Sequence, residues 1–244
     1  MRKTPFLLCA FIALGMSACD KHDPILPGER SAIFEGSQIK MIDQPVPNLP
    51  TELAENPAVE CPYKLDSSNT IWNGEKRIFS GFATNNSVAV EKPVLCRGEF
   101  VYAGLSTGEL VKVNTRNRQI VWIADIFRQS NMTGGASVLD IIAPIQTSGN
   151  YVYAAGMGGA FCKIADKNGN KMWCLDINVE KPFIIANDTA FVLDTDKQLY
   201  AIRLSDGSVY WKNSVKKSGT PKYKSKTIII RAEKFDAENG KLIK

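Results

Sequence analysis

The sequence predicts an all-β fold, an incomplete β-propeller of four-stranded blades. Three observations predict it. A 25-residue pattern of short strands recurs without gaps at 98–122, 149–173 and 187–211. Each copy runs through a polar turn and closes on a tryptophan: Trp122, Trp173 or Trp211. A proline-bearing segment precedes each copy, at Pro93, Pro144 and Pro182. It supplies one more strand, with Pro at the sheet edge. Four strands per unit at roughly 40–50 residues is the period of a propeller blade.

The elements follow in chain order. Arg2 and Lys3 precede the apolar run PFLLCAFIALGMSA, which is too short to span a bilayer. Residues 1–18 therefore read as an export signal. The run ends in GMSAC, which resembles a bacterial lipoprotein cleavage box and makes Cys19 the expected lipidated N-terminus. The plainer alternative is an ordinary signal cleaved near Ala18. Multiple acyl chains, at about 0.8 kcal/mol per buried CH₂, hold a folded body on a membrane. Asp20 follows; in enteric bacteria an Asp at that position accompanies retention at the inner membrane. Residues 19–60, rich in Pro, read as the lipidated Cys and an extended tether, with SAIFEGSQIKMI able to form a short strand within it.

Residues 61–244 hold the blades. An early partial unit is read in SSNTIWNGEKRIFSG, where Trp72 stands 50 residues before Trp122. In the full copies the middle strands alternate, as in Leu110 to Val113, Phe161 to Ile164 and Leu199 to Ile202. Asn168 with Gly169, and Asp206 with Gly207, are strong signals for tight hairpins that need positive φ. Asn117 with Arg118 is a weaker turn at the same place. A last copy, near 219–244, has Asn239 and Gly240. It is about five residues shorter around its first hairpin and stops before its tryptophan, as a truncated blade. From Trp72 to Lys244 there is room for about four blades. One blade cannot bury both faces of its own sheet, so the recurrent tryptophans are assigned to blade packing.

Four cysteines follow Cys19: Cys61, Cys96, Cys162 and Cys174. Export permits disulfides, and four cysteines allow three pairings. Cys162 and Cys174 flank the Asn168 turn almost symmetrically, so they can form a cross-strand bond or remain buried free thiols.

Catalytic chemistry finds little support. The sole His, His22, lies in the tether, which denies the folded body a His-dependent triad or a His-rich metal site. MTGGAS and GMGGA lack the Lys-Ser/Thr ending and strand–helix context of a phosphate loop, and suit tight turns better. Asp125, Asp140 and Asp176 could bind a cation, but read better as loop or strand-end carboxylates. No cofactor is expected. The net charge of +5 is too mild to imply an acidic partner by itself. The basic stretch KNSVKKSGTPKYKSKTIIIRAEK reads as a solvated face of the last unit, with anionic lipid as the alternative. Export argues against nucleic acid.

The phrases VYAG…GELVKVN…W, VYA…GAFCKIA…NGNKMW and LYAIRLSDGSVYW resemble the pyrroloquinoline-quinone-like (quinoprotein-like) propeller repeat. With GMSAC, LPGER and NTIW, the chain from about residue 19 onward is similar to the propeller lipoproteins of the outer-membrane β-barrel assembly (Bam) machinery. That resemblance implies a non-enzymatic, lipid-anchored scaffold on the periplasmic face of the outer membrane. Its partners would be the barrel-insertion protein and other envelope proteins. Self-association through an open blade edge is a further expectation. The same superfamily also holds dehydrogenases using the quinone and Ca²⁺, several with adjacent cysteines, and no Cys-Cys pair occurs here. A third reading is a degenerate fragment of a longer propeller gene.

Overall fold

The computed structural model describes residues 39–53, 61–84, 92–126, 139–158 and 160–243. Cys19, His22 and the MTGGAS stretch lie outside the described residues. Among those described there is no helix, and the strands form five antiparallel sheets in chain order.

The first sheet has three strands, β1 (Tyr63–Leu65), β2 (Thr70–Asn73) and β3 (Lys76–Ser80). The second has β4 (Val94–Arg97), β5 (Phe100–Gly104), β6 (Glu109–Asn114) and β7 (Gln119–Asp125). The third has β8 (Gln146–Ser148), β9 (Tyr151–Ala154), β10 (Phe161–Ala165) and β11 (Lys171–Leu175). The fourth has β12 (Ile184–Ala186), β13 (Thr189–Leu193), β14 (Gln198–Arg203) and β15 (Val209–Ser214). The fifth has β16 (Lys222–Lys224), β17 (Thr227–Ile230), β18 (Glu233–Asp236) and β19 (Leu242–Ile243). Each is a meander whose strands pair in sequence order, as blades of a propeller do.

Strand alternation decides what packs on what, because successive side chains point to opposite faces. Val101, Ala103, Val111 and Val113 meet Leu65, Ile71 and Ile78 of the first sheet. Tyr102 and Leu110, one residue out of phase, meet Val152, Cys162 and Ile164 of the third. The same division places Tyr153 and Phe161 against Val192 and Tyr200. It places Phe191 and Leu199 against Ile228 and Phe235. The four apolar clusters are thus the four contacts between successive sheets. The fifth sheet behaves differently on its other face. Lys222 and Lys234 both pair with Ile229, so the exposed lysines share one face, with Tyr223, Ile228 and Phe235 on the opposite one. Part of the basic stretch is therefore a charged, solvent-facing sheet surface.

Two details differ from the sequence reading. Trp72 does not stand where the other tryptophans do. It lies on β2, and its indole donates to Asp66 Oδ2 at 2.8 Å within its own sheet. Counting from the register shift in each last hairpin, Phe79 of β3 holds the position of Trp122, Trp173 and Trp211. Spacing misaligned the unit because the matching positions are unequally spaced: 43 residues separate Phe79 from Trp122, 51 separate Trp122 from Trp173 and 38 separate Trp173 from Trp211. The strand expected to be absent from the last copy is present as the two-residue β19, paired to β18. As the sequence reading expects, the last copy is shorter around its first hairpin: Arg231 and Ala232 replace a four-residue connection between Leu193 and Gln198, and the two strands beside it are shorter.

Residues 39–53, read as tether, lie against the last two sheets. Val46 N–H donates to the Glu238 carbonyl at 2.7 Å, and Tyr223 donates its hydroxyl to the Pro50 carbonyl. Val46 and Leu49 are buried in the cluster between the fourth and fifth sheets. The segment bends at Asp43 and Asn48, both with φ of 53°, and Ile42, Val46, Leu49 and Leu53 fill an apolar seam.

Disulfides join Cys61 to Cys96, and Cys162 to Cys174. The first ties the entry of the first sheet to β4, across 35 residues of sequence. The second links directly opposed residues of β10 and β11. On loop-closure entropy the longer link contributes about 4 kcal/mol and the 12-residue link about 3 kcal/mol. Cys61→Ser with Cys96→Ser is therefore expected to lower the urea midpoint more than Cys162→Ser with Cys174→Ser. Equilibrium unfolding of the two double variants checks the order.

Candidate functional site

The most elaborated feature of the fold is a contact repeated at three sheet boundaries. The hairpin after β10 turns through Gly169, that after β14 through Gly207, and that after β18 through Gly240, all with positive φ of 74–77°. A side chain at that φ is strained. Each glycine also lies under the tryptophan of the preceding sheet. A Cβ on Gly169 would come within 2.9 Å of Trp122, one on Gly207 within 3.0 Å of Trp173, and one on Gly240 within 2.6 Å of Trp211. The indole then reaches back into the same turn. Trp122 donates to the Asp166 carbonyl at 2.9 Å, Trp173 to Leu204 at 3.0 Å and Trp211 to Ala237 at 3.2 Å. Strand end, turn and neighbouring sheet are fixed by one interaction.

Two residues that sequence reasoning passed over complete this contact. Lys112 and Lys163 occupy matching positions of β6 and β10, between apolar neighbours, and both are buried. The Lys112 ammonium donates to the Asp166 carbonyl and carboxylate at 2.9 and 2.7 Å, and Lys163 donates to the Leu204 carbonyl at 2.8 Å. Each lies over an aromatic ring, Lys112 at 4.4 Å from Phe100 and Lys163 at 3.9 Å from Tyr151. Burial pushes Lys163 below its ordinary value. A lone Lys in an alternating strand reads as solvent-facing; the recurrence of Lys in one column of two repeats was the signal available. In the third copy that column holds Ala201, and the Ala237 carbonyl receives the indole without an ammonium.

Asp166 is the most heavily partnered carboxylate of this group. Burial alone would raise it, but hydrogen bonds from Lys112 and Tyr102, with Arg97 nearby, hold it below the ordinary carboxylate range. Burial and that carboxylate push the Tyr102 hydroxyl well above its usual value. The cavity beside this cluster, about 550 Å³, is rimmed by Arg97, Phe100 and Arg116. Arg116 is paired with Glu99 at 3.0 Å. A carboxyl with a depressed folded pKa stabilises the fold above its unfolded value, and that stabilisation is lost as pH falls through the folded value. The thermal midpoint is expected to fall as pH drops below about 4. Asp166→Asn should flatten part of that fall, and a series of melts from neutral to acid pH reads it directly.

The carboxylates considered as cation ligands are not brought together. Asp140 is buried in an ion pair with Lys92, Asp125 faces Lys171 at 3.4 Å on the surface, and Asp176 is exposed. Among the described residues no group of three or more His, Cys, Asp or Glu side chains could hold a metal ion. Gly156, in the GMGGA stretch, sits where a Cβ would meet the Asp140 carbonyl at 2.1 Å, so close backbone packing requires it. A second groove, about 710 Å³, lies between β8 and β12 and is walled by Pro50, Leu53 and Phe183. Gln146 bridges it, donating to the Phe183 carbonyl at 2.5 Å.

Comparison with known proteins places this architecture. The family model of the outer membrane protein assembly factor BamB matches residues 61–213, more than half of the chain. The curated BamB of Kangiella koreensis is 22% identical over 111 residues, covering 46% of this chain and 29% of that protein. The crystal structure of BamB from Moraxella catarrhalis superposes with a TM-score of 0.54 at 15% identity, covering 75% of this chain and 56% of that one. A computationally designed protein, Ika8, gives a TM-score of 0.49 at 12% identity, over 75% of this chain and 55% of its own. The matched part thus spans under a third of the curated relative and just over half of the solved one.

Proposed function

Because this chain belongs to the family of the outer membrane protein assembly factor BamB, we propose that it is a non-enzymatic scaffold in the assembly of β-barrel outer-membrane proteins. In this reading lipid on Cys19 holds it at the periplasmic face of the outer membrane. Its partner is the barrel-insertion protein of the Bam complex. The observation that carries the reading is the family match over residues 61–213, which hold the first four sheets and two of the three Trp contacts. Meandering sheets of this kind present edges and turns, which are surfaces for other proteins. The export signal and the GMSAC box support a membrane anchor.

The test is made in cells. Metabolic labelling with palmitate is expected to mark the wild-type chain and not Cys19→Ala. Membrane fractionation should place the labelled chain in the outer membrane; recovery in the inner membrane would give Asp20 the decisive role and contradict the proposed location. Crosslinking from the outer membrane should capture the barrel-insertion protein. Oxidation of alcohols or sugars by the purified chain, on addition of the quinone and Ca²⁺, would overturn the non-enzymatic reading.

A further inference from the structure

In the fourth sheet, one face packs on the fifth through Ile184, Ala186, Phe191, Ala201 and Trp211. Register places Lys222, Lys224, Ile229, Lys234 and Ile243 at the matching positions of the fifth sheet. Three lysines thus stand where apolar side chains stand one sheet earlier, and all three are exposed. Lys234 shares the column of Lys112 and Lys163, but no turn carbonyl receives its ammonium. Among the described residues none of the three is in an ion pair. The carboxylates of this sheet are engaged otherwise. Asp236 Oδ1 accepts from the N–H groups of Glu238 and Asn239, Glu238 pairs with Lys226 at 3.0 Å, and Glu233 Oε2 accepts from Lys216 N–H.

We propose that this face of the fifth sheet docks on the anionic surface of a phospholipid bilayer, with the lysines at the headgroup phosphates and Ile229 and Ile243 between them. Each lysine brought to such a surface strengthens partition about fivefold. Other occupants fit less well. A further sheet like those of this chain would bury uncompensated charge where Ile184, Ala186 and Ala201 bury apolar surface. A second copy would bring cations against cations, because Lys64, Trp72 and Arg77 share the face of the first sheet turned away from the second. A small anion needs a pocket, and neither cavity described above is lined by this face. Position also favours a membrane. Tyr223 and Ser225 hold Pro50 and Glu52, so the chain leading back to Cys19 meets the body at this sheet. The choice of a bilayer rests partly on lipid at Cys19, whereas the charge of the face is independent of it.

The probe is a vesicle of equal parts phosphatidylglycerol and phosphatidylcholine, compared with one of phosphatidylcholine alone. The full chain carrying Cys19→Ala is mixed with each, and its lysines are footprinted with an amine-reactive ester. Lys222, Lys224 and Lys234 are expected to lose reactivity about tenfold on the anionic vesicle only, with Lys64 and Lys76 of the first sheet unchanged. High salt, which screens exposed charge, should restore reactivity. Lys222→Glu with Lys224→Glu should cut the ratio of partition between the two vesicles by about 25-fold or more. Both side chains are exposed, so the thermal midpoint should not move. Lys64→Glu with Lys76→Glu makes the same change in net charge on the first sheet and should leave the ratio nearly as it was. No protection on the anionic vesicle, equal protection on both, or an unchanged ratio in the Lys222 and Lys224 variant would each overturn the proposal. Protection by soluble polyglutamate but not by the anionic vesicle would overturn it in favour of an acidic protein. Palmitate labelling of the wild-type chain reads Cys19 separately, so failure of the anchor and failure of the face are distinct results.

Discussion

Gly169→Val is expected to lower the unfolding free energy by roughly 2–6 kcal/mol. Two costs add. A branched residue at φ of 75° carries about 1–3 kcal/mol of backbone strain. Its Cβ also enters space held by the Trp122 ring at 2.9 Å, and overpacking of that kind costs about 1–3 kcal/mol. Trp122 is buried between the second and third sheets, and Trp122→Ala alone is expected to cost about 3–5 kcal/mol. The two sites are in contact, so their effects should not add. Gly169→Ala combined with Trp122→Ala should cost less than the sum of the singles, because the missing ring removes the clash and leaves only the strain. Urea unfolding of the four proteins measures the coupling.

Lys92→Met is the second large effect, expected to cost about 3–5 kcal/mol. The Lys92 ammonium donates to Asp140 Oδ1, and both side chains are completely buried. Lys92 leads into the second sheet, and the Asp140 main chain is bridged to Met157 beyond β9 in the third. Removing the cation takes the ammonium from Oδ1 of a buried carboxylate, a larger loss than the pair's own net worth. Replacing both residues, Lys92→Met with Asp140→Leu, should therefore recover much of the lost stability. Recovery stays short of complete, because Asp140 has interactions besides that with Lys92. A double variant no more stable than Lys92→Met would contradict this account of the pair.

Much of the architecture was legible because its signals are local. Asn168 with Gly169, and Asp206 with Gly207, announced tight turns, and the strands between them alternated in step with burial. The tryptophans announced a contact between repeats, though not that each ring would settle on the next repeat's turn glycine. That pairing joins residues about 30–47 apart in the chain, across two sheets, which hairpin and alternation rules do not see. Lys112 and Lys163 were missed for a related reason. Alternation alone gives a polar residue to solvent, and only the neighbouring turn's carbonyls make its burial tolerable. Trp72 was misaligned because spacing counts residues and the register shift does not. The docking of residues 39–53 was hidden by prolines, which read as an extended tether and do not show what it lies against. The exposed Ile120, Val121 and Ile123 read in sequence like any half-buried strand.

Three indoles lying over three turn glycines join four successive sheets. In each case the nearest ring atoms include Cδ2, at the junction of the two indole rings, so the glycine sits over the ring face and not beside its rim. Protons held over an aromatic face are shielded. Proton NMR of the folded chain is the direct measurement. The Hα resonances of Gly169, Gly207 and Gly240 should lie well upfield of ordinary glycine values. Each should return toward them only when its own tryptophan, Trp122, Trp173 or Trp211, is replaced by leucine. Ordinary Hα shifts at all three glycines in a folded protein would contradict the contact on which the stacking of these sheets depends.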